Sequence, residues 1–457
     1  MQPNFMVPVA LTLFVPAVYV CMQRLGPRRG VMVALLGGWM FLPVFDGRLA
    51  ISVITTKMSF VSAVIVVVSL ATDLRRWMRL RVHPVDGIAA ALSLLPFATA
   101  LSNGLGSYEG LAAIVQTLSS WGAPYFLGRL YLGAPRAAAE FGRSLVGAAV
   151  VYAPLCLWEI RMSPQLHRQL YGYHTFESFA FAVRYGGYRP TVFMQFGLMV
   201  GTFMATGTLI AYWLWRSRAA TRLAGMPAAW CVALLLATTV LVKSTGALIL
   251  LAVGIGVLEA TRLLRRSLLV LVVMAVPVAF VAARISGWDA QQLVDGAALA
   301  GPDRAQSVAF RIENEQLLVN KALQRPWLGW GRWGRSRVYD EDRHDVSTTD
   351  SLWVITLGVI GILGLVLWAL LMLAPALMLM RRFPVRRWEH PAIAPVAALA
   401  LGVLLWVVDC LLNSMTSPLF PAMCGAITTF AAGRWQARRR SATTEPAAPL
   451  PPAPRAA

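Results

Sequence analysis

Apolar stretches recur along the whole chain, and a cluster of arginines follows every second one: Arg24/Arg28/Arg29, Arg75/Arg76/Arg79/Arg81, Arg129/Arg136, Arg216/Arg218/Arg222, Arg262/Arg265/Arg266, Arg381/Arg382/Arg386/Arg387 and Arg434/Arg438/Arg439/Arg440. Few patterns constrain a fold more. A helix needs about 20 apolar residues to cross hydrocarbon, and Lys and Arg collect in the cytoplasmic links between crossings. The pattern predicts an all-α polytopic membrane protein of about 12–13 transmembrane helices. They are expected near 5–22, 31–45, 55–72, 87–105, 110–128, 138–157, 190–214, 226–242, 246–261, 267–284, 351–375, 391–411 and 418–433. The N-terminus then lies outside and the C-terminus inside.

Composition supports this reading. Of 457 residues, 58% are hydrophobic and 14% charged, with a mean hydropathy of +0.62, which excludes an ordinary soluble multidomain chain. Lys plus Arg outnumber Asp plus Glu by 41 to 21. In a soluble protein that excess points to nucleic acid; here cytoplasmic loops facing anionic lipid account for it, and no nucleic-acid partner is expected. Cys21, Cys156, Cys231, Cys410 and Cys424 lie in apolar segments without metal-ligand spacing and read as core thiols. The first apolar run has no basic residue before it, so it reads as a membrane helix and not as a cleaved signal.

Residues 1–440 therefore form a helix bundle with two larger external loops, 159–189 and 285–350. The second is expected to contain an interfacial helix. Residues 441–457 are rich in Pro and Ala and are expected to form a disordered cytoplasmic tail. No repeat of fixed period is evident, and no matched pair of broken helices such as inverted-repeat transporters carry.

Chemistry should lie on the external face. The first loop ends Arg184-Tyr185-Gly-Gly-Tyr188-Arg189-Pro. Guanidinium groups form bidentate bonds to phosphate, and tyrosine faces suit sugars, so this cluster fits a sugar-phosphate ligand; snorkelling to lipid headgroups is the plainer alternative. In the second loop, Val308, Ile312, Leu317, Leu318 and Leu323 have helical spacing and predict a helix along the membrane surface over 307–324. Arg311 and Glu315 share a face there, where they either pair or leave Arg311 to phosphate.

Next comes Pro326-Trp-Leu-Gly329-Trp330-Gly331-Arg-Trp-Gly334. It spells the glycine-rich nucleotide motif but lacks the βαβ context that motif needs. Pro and Gly instead predict a turn back toward the bundle, with Trp327, Trp330 and Trp333 anchoring at the interface. The run Asp340 to Asp345 offers metal-ligand types, yet charged loops are usually solvated, and neither a metal nor a cofactor is assigned. His344 and Asp350 are candidate general bases, Asp350 alternatively serving the start of the helix that follows it. Lys243-Ser-Thr-Gly246 marks a corner whose charge must reach water, lipid phosphate or a cavity. Asp409 and Asn413 read as hydrogen-bonding groups inside the bundle.

Three of these segments together resemble the O-antigen ligase and O-antigen polymerase superfamily. They are Arg311 in its amphipathic segment, the turn Pro326-Trp-Leu-Gly329-Trp-Gly331, and Thr349-Asp350-Ser-Leu-Trp353 running into Leu357-Gly358-Val-Ile-Gly361. The Arg184–Arg189 loop and the Lys243–Gly246 corner support the resemblance. It implies a metal-independent inverting glycosyltransferase that moves a glycan from an undecaprenyl-diphosphate carrier to a saccharide or lipid acceptor, on the periplasmic face of a bacterial inner membrane. By that resemblance Arg184, Arg189 and Arg311 neutralise the departing diphosphate, which agrees with the general value of preplaced cations where charge develops. Arg161, Lys243, Tyr185, Tyr188 and Trp330 are the expected substrate-binding residues; membrane lipids and polysaccharide-export proteins are the expected partners. Such ligases commonly carry a His just before the last motif helix. This chain has Ser347-Thr-Thr-Asp350 there, which leaves open whether His344 or Asp350 is the base and whether the enzyme is a polymerase or a ligase. A transporter or flippase of lipid-linked sugars, or a non-catalytic partner of polysaccharide assembly, are the alternative functions.

Overall fold

The computed structural model describes residues 3–45, 54–176, 179–184, 186–299 and 301–433. The expected disordered tail, the last arginine cluster and Tyr185 lie outside them.

The chain opens with α1 (Met6–Leu25) and α2 (Pro27–Phe41). Gly26 turns them at φ +78°, and Pro27 starts α2 where its missing N–H costs nothing. Next are α3 (Lys57–Met78), capped by Thr56, and α4 (Pro84–Ser102), capped by His83 and Asp86 in a reciprocal box. Then α5 (Gly106–Thr117) and α6 (Ala123–Leu127) are each followed by a π turn, Leu118–Gly122 and Gly128–Leu132. A long α7 (Pro135–Met162) and a short α8 (Leu166–Tyr171) lead to a hairpin of β1 (Val183–Arg184) and β2 (Gly187–Tyr188).

After α9 (Gly197–Arg216), a second small hairpin of β3 (Arg222–Leu223) and β4 (Met226–Pro227) precedes α10 (Ala228–Leu241), α11 (Thr245–Leu264) and α12 (Leu268–Ile285). The outer segment holds α13 (Gln291–Ala298) and α14 (Pro302–Ala322), and the chain closes through α15 (Leu352–Arg382), α16 (Ala394–Asp409) and α17 (Leu419–Ala431).

Each predicted membrane segment overlaps a helix. Eight helices among the described residues are long and apolar enough to cross a membrane, and α10, α16 and α17 are shorter apolar helices. This architecture fits a multi-pass membrane protein. Apolarity all round a helix signals an interior position, and α16 has it: every residue from Ala394 to Val407 is buried. Around it pack α9, α11, α12, α15 and α17.

The fold departs from the sequence reading at α15, expected as one continuous helix. It breaks at Gly361, which sits at φ +68°, and the turn before it fills the break. Trp330 N–H donates to Gly358 O at 2.9 Å and Gly331 N–H to Val359 O at 2.9 Å, while Ile362 N–H donates to Pro326 O at 2.7 Å. Polar backbone groups freed inside a buried helix need such partners. The two glycines make the close approach: a Cβ on Gly361 would lie 2.3 Å from Trp327 O, and one on Gly329 would lie 2.7 Å from Gly361 N. The glycine-rich stretch is thus spliced into a membrane helix.

Several charges are buried at helix ends. Arg129, assigned above to a link cluster, binds Asp86 through Nε at 2.7 Å and Nη2 at 2.8 Å. Lys57, Asp86, Glu159, Arg284 and Asp409 are buried within about a turn of their helix termini.

Candidate active site

Glu159, near the end of α7, is fully buried. Its Oε1 accepts from Leu166 N–H at 3.0 Å, and its Oε2 accepts from Thr191 N–H at 2.8 Å and Val192 N–H at 2.7 Å. This holds Val192, a β-branched residue, at φ +51°, a conformation worth about 1–3 kcal/mol of strain. The next residue is fixed from below: Lys57 Nζ donates to Phe193 O at 2.9 Å, and Phe193 N–H donates to the Tyr152 hydroxyl at 3.0 Å. The segment that carries Arg189 is therefore rigid.

Arg189 is 7% exposed. Its Nη2 donates to Ser244 Oγ at 3.2 Å, and its side chain lies against Gly197, the first residue of α9. Its buried Nε has no hydrogen-bond partner among the described residues. Burial, with the nearby charges of Arg184 and Arg311, pushes this guanidinium down to about 10, still protonated at neutral pH. The two outer loops therefore converge, bringing Arg184, Arg189 and Arg311 together. Lys243, at φ +58° in the α10–α11 corner, donates to Arg184 O at 3.2 Å and closes the cluster.

Arg311 is presented by a buried anchor one turn further along α14. The sequence left Arg311 and Glu315 free to pair; instead Glu315 Oε1 binds Arg284 Nε at 2.8 Å, both side chains being essentially inaccessible. Glu315 Oε2 accepts from Ser351 Oγ at 2.9 Å and Trp353 Nε1 at 3.1 Å. These bonds fasten α14 to α12 and to the start of α15. Arg311 is left to face Asp350, Nε to Oδ2 being 3.6 Å, and its Nη1 donates to Leu412 O and to Asn413 Oδ1, each at 3.3 Å. Asn413 Nδ2 in turn donates to Asp409 Oδ1 at 2.8 Å. Asp409 and Asn413, read from sequence as internal hydrogen-bonding groups, thus join the site through Arg311.

A cavity of about 1220 Å³ opens between the segments that lead into α9 and α15, and Arg184, Arg189, Arg311 and Asp350 are not among its lining residues. Gln195, Phe196, Thr348, Thr349 and Thr416 line it, and they neighbour in sequence Gly197, Asp350 and Asn413. Its deeper wall is apolar: Leu92, Pro96, Ala112, Trp121, Ile360 and Trp368. The π turn at Leu118–Gly122 supplies Ser120 and Trp121 to this wall, in line with the frequent occurrence of such bulges at functional sites.

Other expected site residues lie differently. His344 is 79% exposed on a small hairpin, its Nδ1 3.6 Å from Asp340 Oδ2. Trp330 is occupied by its own loop, donating to Lys321 O at 2.9 Å beneath Lys321 Nζ at 4.1 Å and the Arg325 guanidinium at 4.9 Å. Trp327 is 65% exposed. Arg161 is exposed on the last turn of α7, and Tyr188 is half-buried on β2, opposite Val183. Sequence reasoning gave no role to Glu159, Lys57 or Arg284; charge in an otherwise apolar helix end was the available signal.

Fold and site together define a helical protein with membrane-length helices, a cationic cluster and an amphipathic cavity. No family model and no curated protein matches the sequence.

Proposed function

We propose that the chain is an inverting glycosyltransferase that moves a glycan from a lipid diphosphate carrier to a saccharide acceptor. The polymerase or ligase type, the undecaprenyl carrier and the periplasmic side of a bacterial inner membrane complete the reading. One observation carries it: Arg189 is buried among cations, with no carboxylate partner among the described residues. Burying an unpaired charge is costly, and three guanidinium groups plus Lys243 repel one another. A diphosphate relieves both penalties, and its charge grows as it leaves, so preplaced cations favour the transition state.

The cavity suits the rest of such a substrate, with an apolar wall for an isoprenoid chain and a polar rim at Arg332, Arg337, Thr348 and Thr349. In the reaction, the acceptor hydroxyl attacks the anomeric carbon on the face opposite the diphosphate. The bond from that carbon to the phosphate oxygen breaks, its electron pair stays with the diphosphate, and the hydroxyl proton passes to Asp350. Asp350 suits this role better than His344 because it sits beside Arg311, whereas His344 is solvent-exposed. The buried charges cluster at helix ends instead of lining a path through the bundle, an arrangement that suits surface chemistry better than transport.

The test is a reaction of purified protein with a lipid-diphosphate oligosaccharide. New glycosidic bonds and released carrier diphosphate are expected, both lost in Arg311→Ala. Passage of the intact lipid-linked glycan across a vesicle bilayer, without cleavage, would establish a flippase instead.

A further inference from the structure

At the opposite end of the bundle from the arginine cluster, the link between α11 and α12 meets the end of α15. Between them lies a cleft of about 760 Å³, lined by Arg265, Arg266, Arg381 and Arg386 above Leu268, Leu271, Leu377 and Met380. All four arginines are exposed. None has an ion-pair partner among the described residues, and no carboxylate lines the cleft. Some other arginines on this face are answered, Arg262 by Glu259 and Glu389, Arg216 by Glu259 and Arg29 by Glu140, while those that are not, such as Arg24 and Arg28, do not line this cleft. The cleft therefore concentrates unneutralised positive charge at one place, and the positive-inside rule, which concerns loops as a whole, does not account for that.

The floor is as informative as the rim. Leu268 and Leu271 are 64% and 42% exposed, and α12 packs mainly on α11 and α16. An apolar strip is thus left open toward the hydrocarbon directly below the guanidinium groups. A soluble phosphate would use only the rim, and a neutral lipid only the floor. We propose that this cleft is a binding site for one anionic phospholipid, its phosphate held by Arg265, Arg266, Arg381 and Arg386 and an acyl chain laid on Leu268, Leu271 and Leu377. Basic pockets between helices with apolar surface below are the usual form of such sites. Occupancy would tie the α11–α12 link to the end of α15, the helix whose other end adjoins Asp350, independently of what the active site does.

Native mass spectrometry of the purified full chain, titrated with dioleoyl phosphatidylglycerol or dioleoyl phosphatidylcholine, tests this. A preference for phosphatidylglycerol is expected. Loss of two arginines in Arg265→Gln/Arg381→Gln should weaken its binding about thirtyfold, taking about 1 kcal/mol for each arginine near the lipid surface. Arg24→Gln/Arg28→Gln removes the same charge elsewhere on that face and should leave binding unchanged. Equal loss in both double variants would overturn the site in favour of diffuse surface charge, as would equal binding of the two lipids. Should the first variant fail to fold, a photoreactive side chain at Leu271 in the otherwise unaltered protein serves instead. It should crosslink phosphatidylglycerol in preference to phosphatidylcholine, and crosslinking without preference rejects the proposal.

Discussion

Arg189 and Ser244 meet at 3.2 Å where two helices begin, Ser244 being the N-cap of α11 and Gly197, against which Arg189 packs, the first residue of α9. Helix N-termini carry roughly half a positive charge each, so a guanidinium is placed where electrostatics resists it unless an anion joins. Arg189→Gln should keep the polar contact and remove the charge. Transfer activity is expected to fall about 10²- to 10³-fold, as for loss of one stabilising donor, with normal accumulation in the membrane. Unchanged turnover would remove Arg189 from the site.

The base assignment separates two carboxylate and imidazole candidates by position. Asp350 lies 3.6 Å from Arg311, and the His344 side chain is 79% exposed. Asp350→Asn should lower kcat about 10²-fold or more, within the range for a lost general base, while His344→Ala changes it by less than about threefold. The reverse order of effects would move the base to the hairpin.

Glu315→Gln tests the anchor beneath Arg311. Breaking a buried ion pair strands the remaining charge and costs about 3–5 kcal/mol, whereas replacing both partners by apolar residues is far milder. The single variant should melt well below the parent in detergent, and Arg284→Met/Glu315→Leu should recover most of the difference. Equal melting of parent and Glu315→Gln would refute the anchoring role.

Gly361→Ala places a methyl group 2.3 Å from Trp327 O on a backbone at φ +68°. Expulsion of the turn is expected, read as new protease cleavage between residues 326 and 346 and loss of activity together. Gly256→Ala, where nothing lies within 4 Å, should do neither.

A pH dependence follows from His167, in the outer segment. Its Nδ1 donates to Tyr173 O at 2.9 Å and its Nε2 accepts from Val44 N–H at 3.0 Å, so the folded protein needs the neutral ring. Burial pushes its pKa down to about 4 from an ordinary 6.5. The unfolded chain then binds a proton that the folded one refuses. The stabilisation is complete above about pH 6.5 and is lost as pH falls toward about 4, in total about 3 kcal/mol. Thermal melting over that interval should shift less in His167→Gln than in the parent; an identical pH slope would count against the assignment.

Much of the architecture is legible in the sequence because hydrophobic length and arginine placement act locally, which is why the apolar runs coincide with helices. The arginines of the candidate site stand out in the sequence too, because Arg184 and Arg189 flank two glycines and two tyrosines, a composition suited to phosphate. What joins them is not. Glu315 has a partner four residues away in Arg311 and chooses Arg284, 31 residues distant, because only tertiary packing buries that pair. Likewise Gly358, Gly361 and Gly364 show as small residues in α15, but the segment that fills the gap lies across a separate loop.

The break at Gly361 also sets a height. Residues 362–382 alone rise about 31 Å, which already matches a hydrocarbon layer of about 30 Å. The nine residues above the break, all but Ile355 and Val359 buried, are surplus to crossing and add roughly 13 Å of shelf. Asp350 stands at the upper end of that shelf. The helix thus has separate parts for anchorage and elevation, and on the proposed function Asp350 and Arg311 would meet a lipid carrier at its phosphates and clear of its chains.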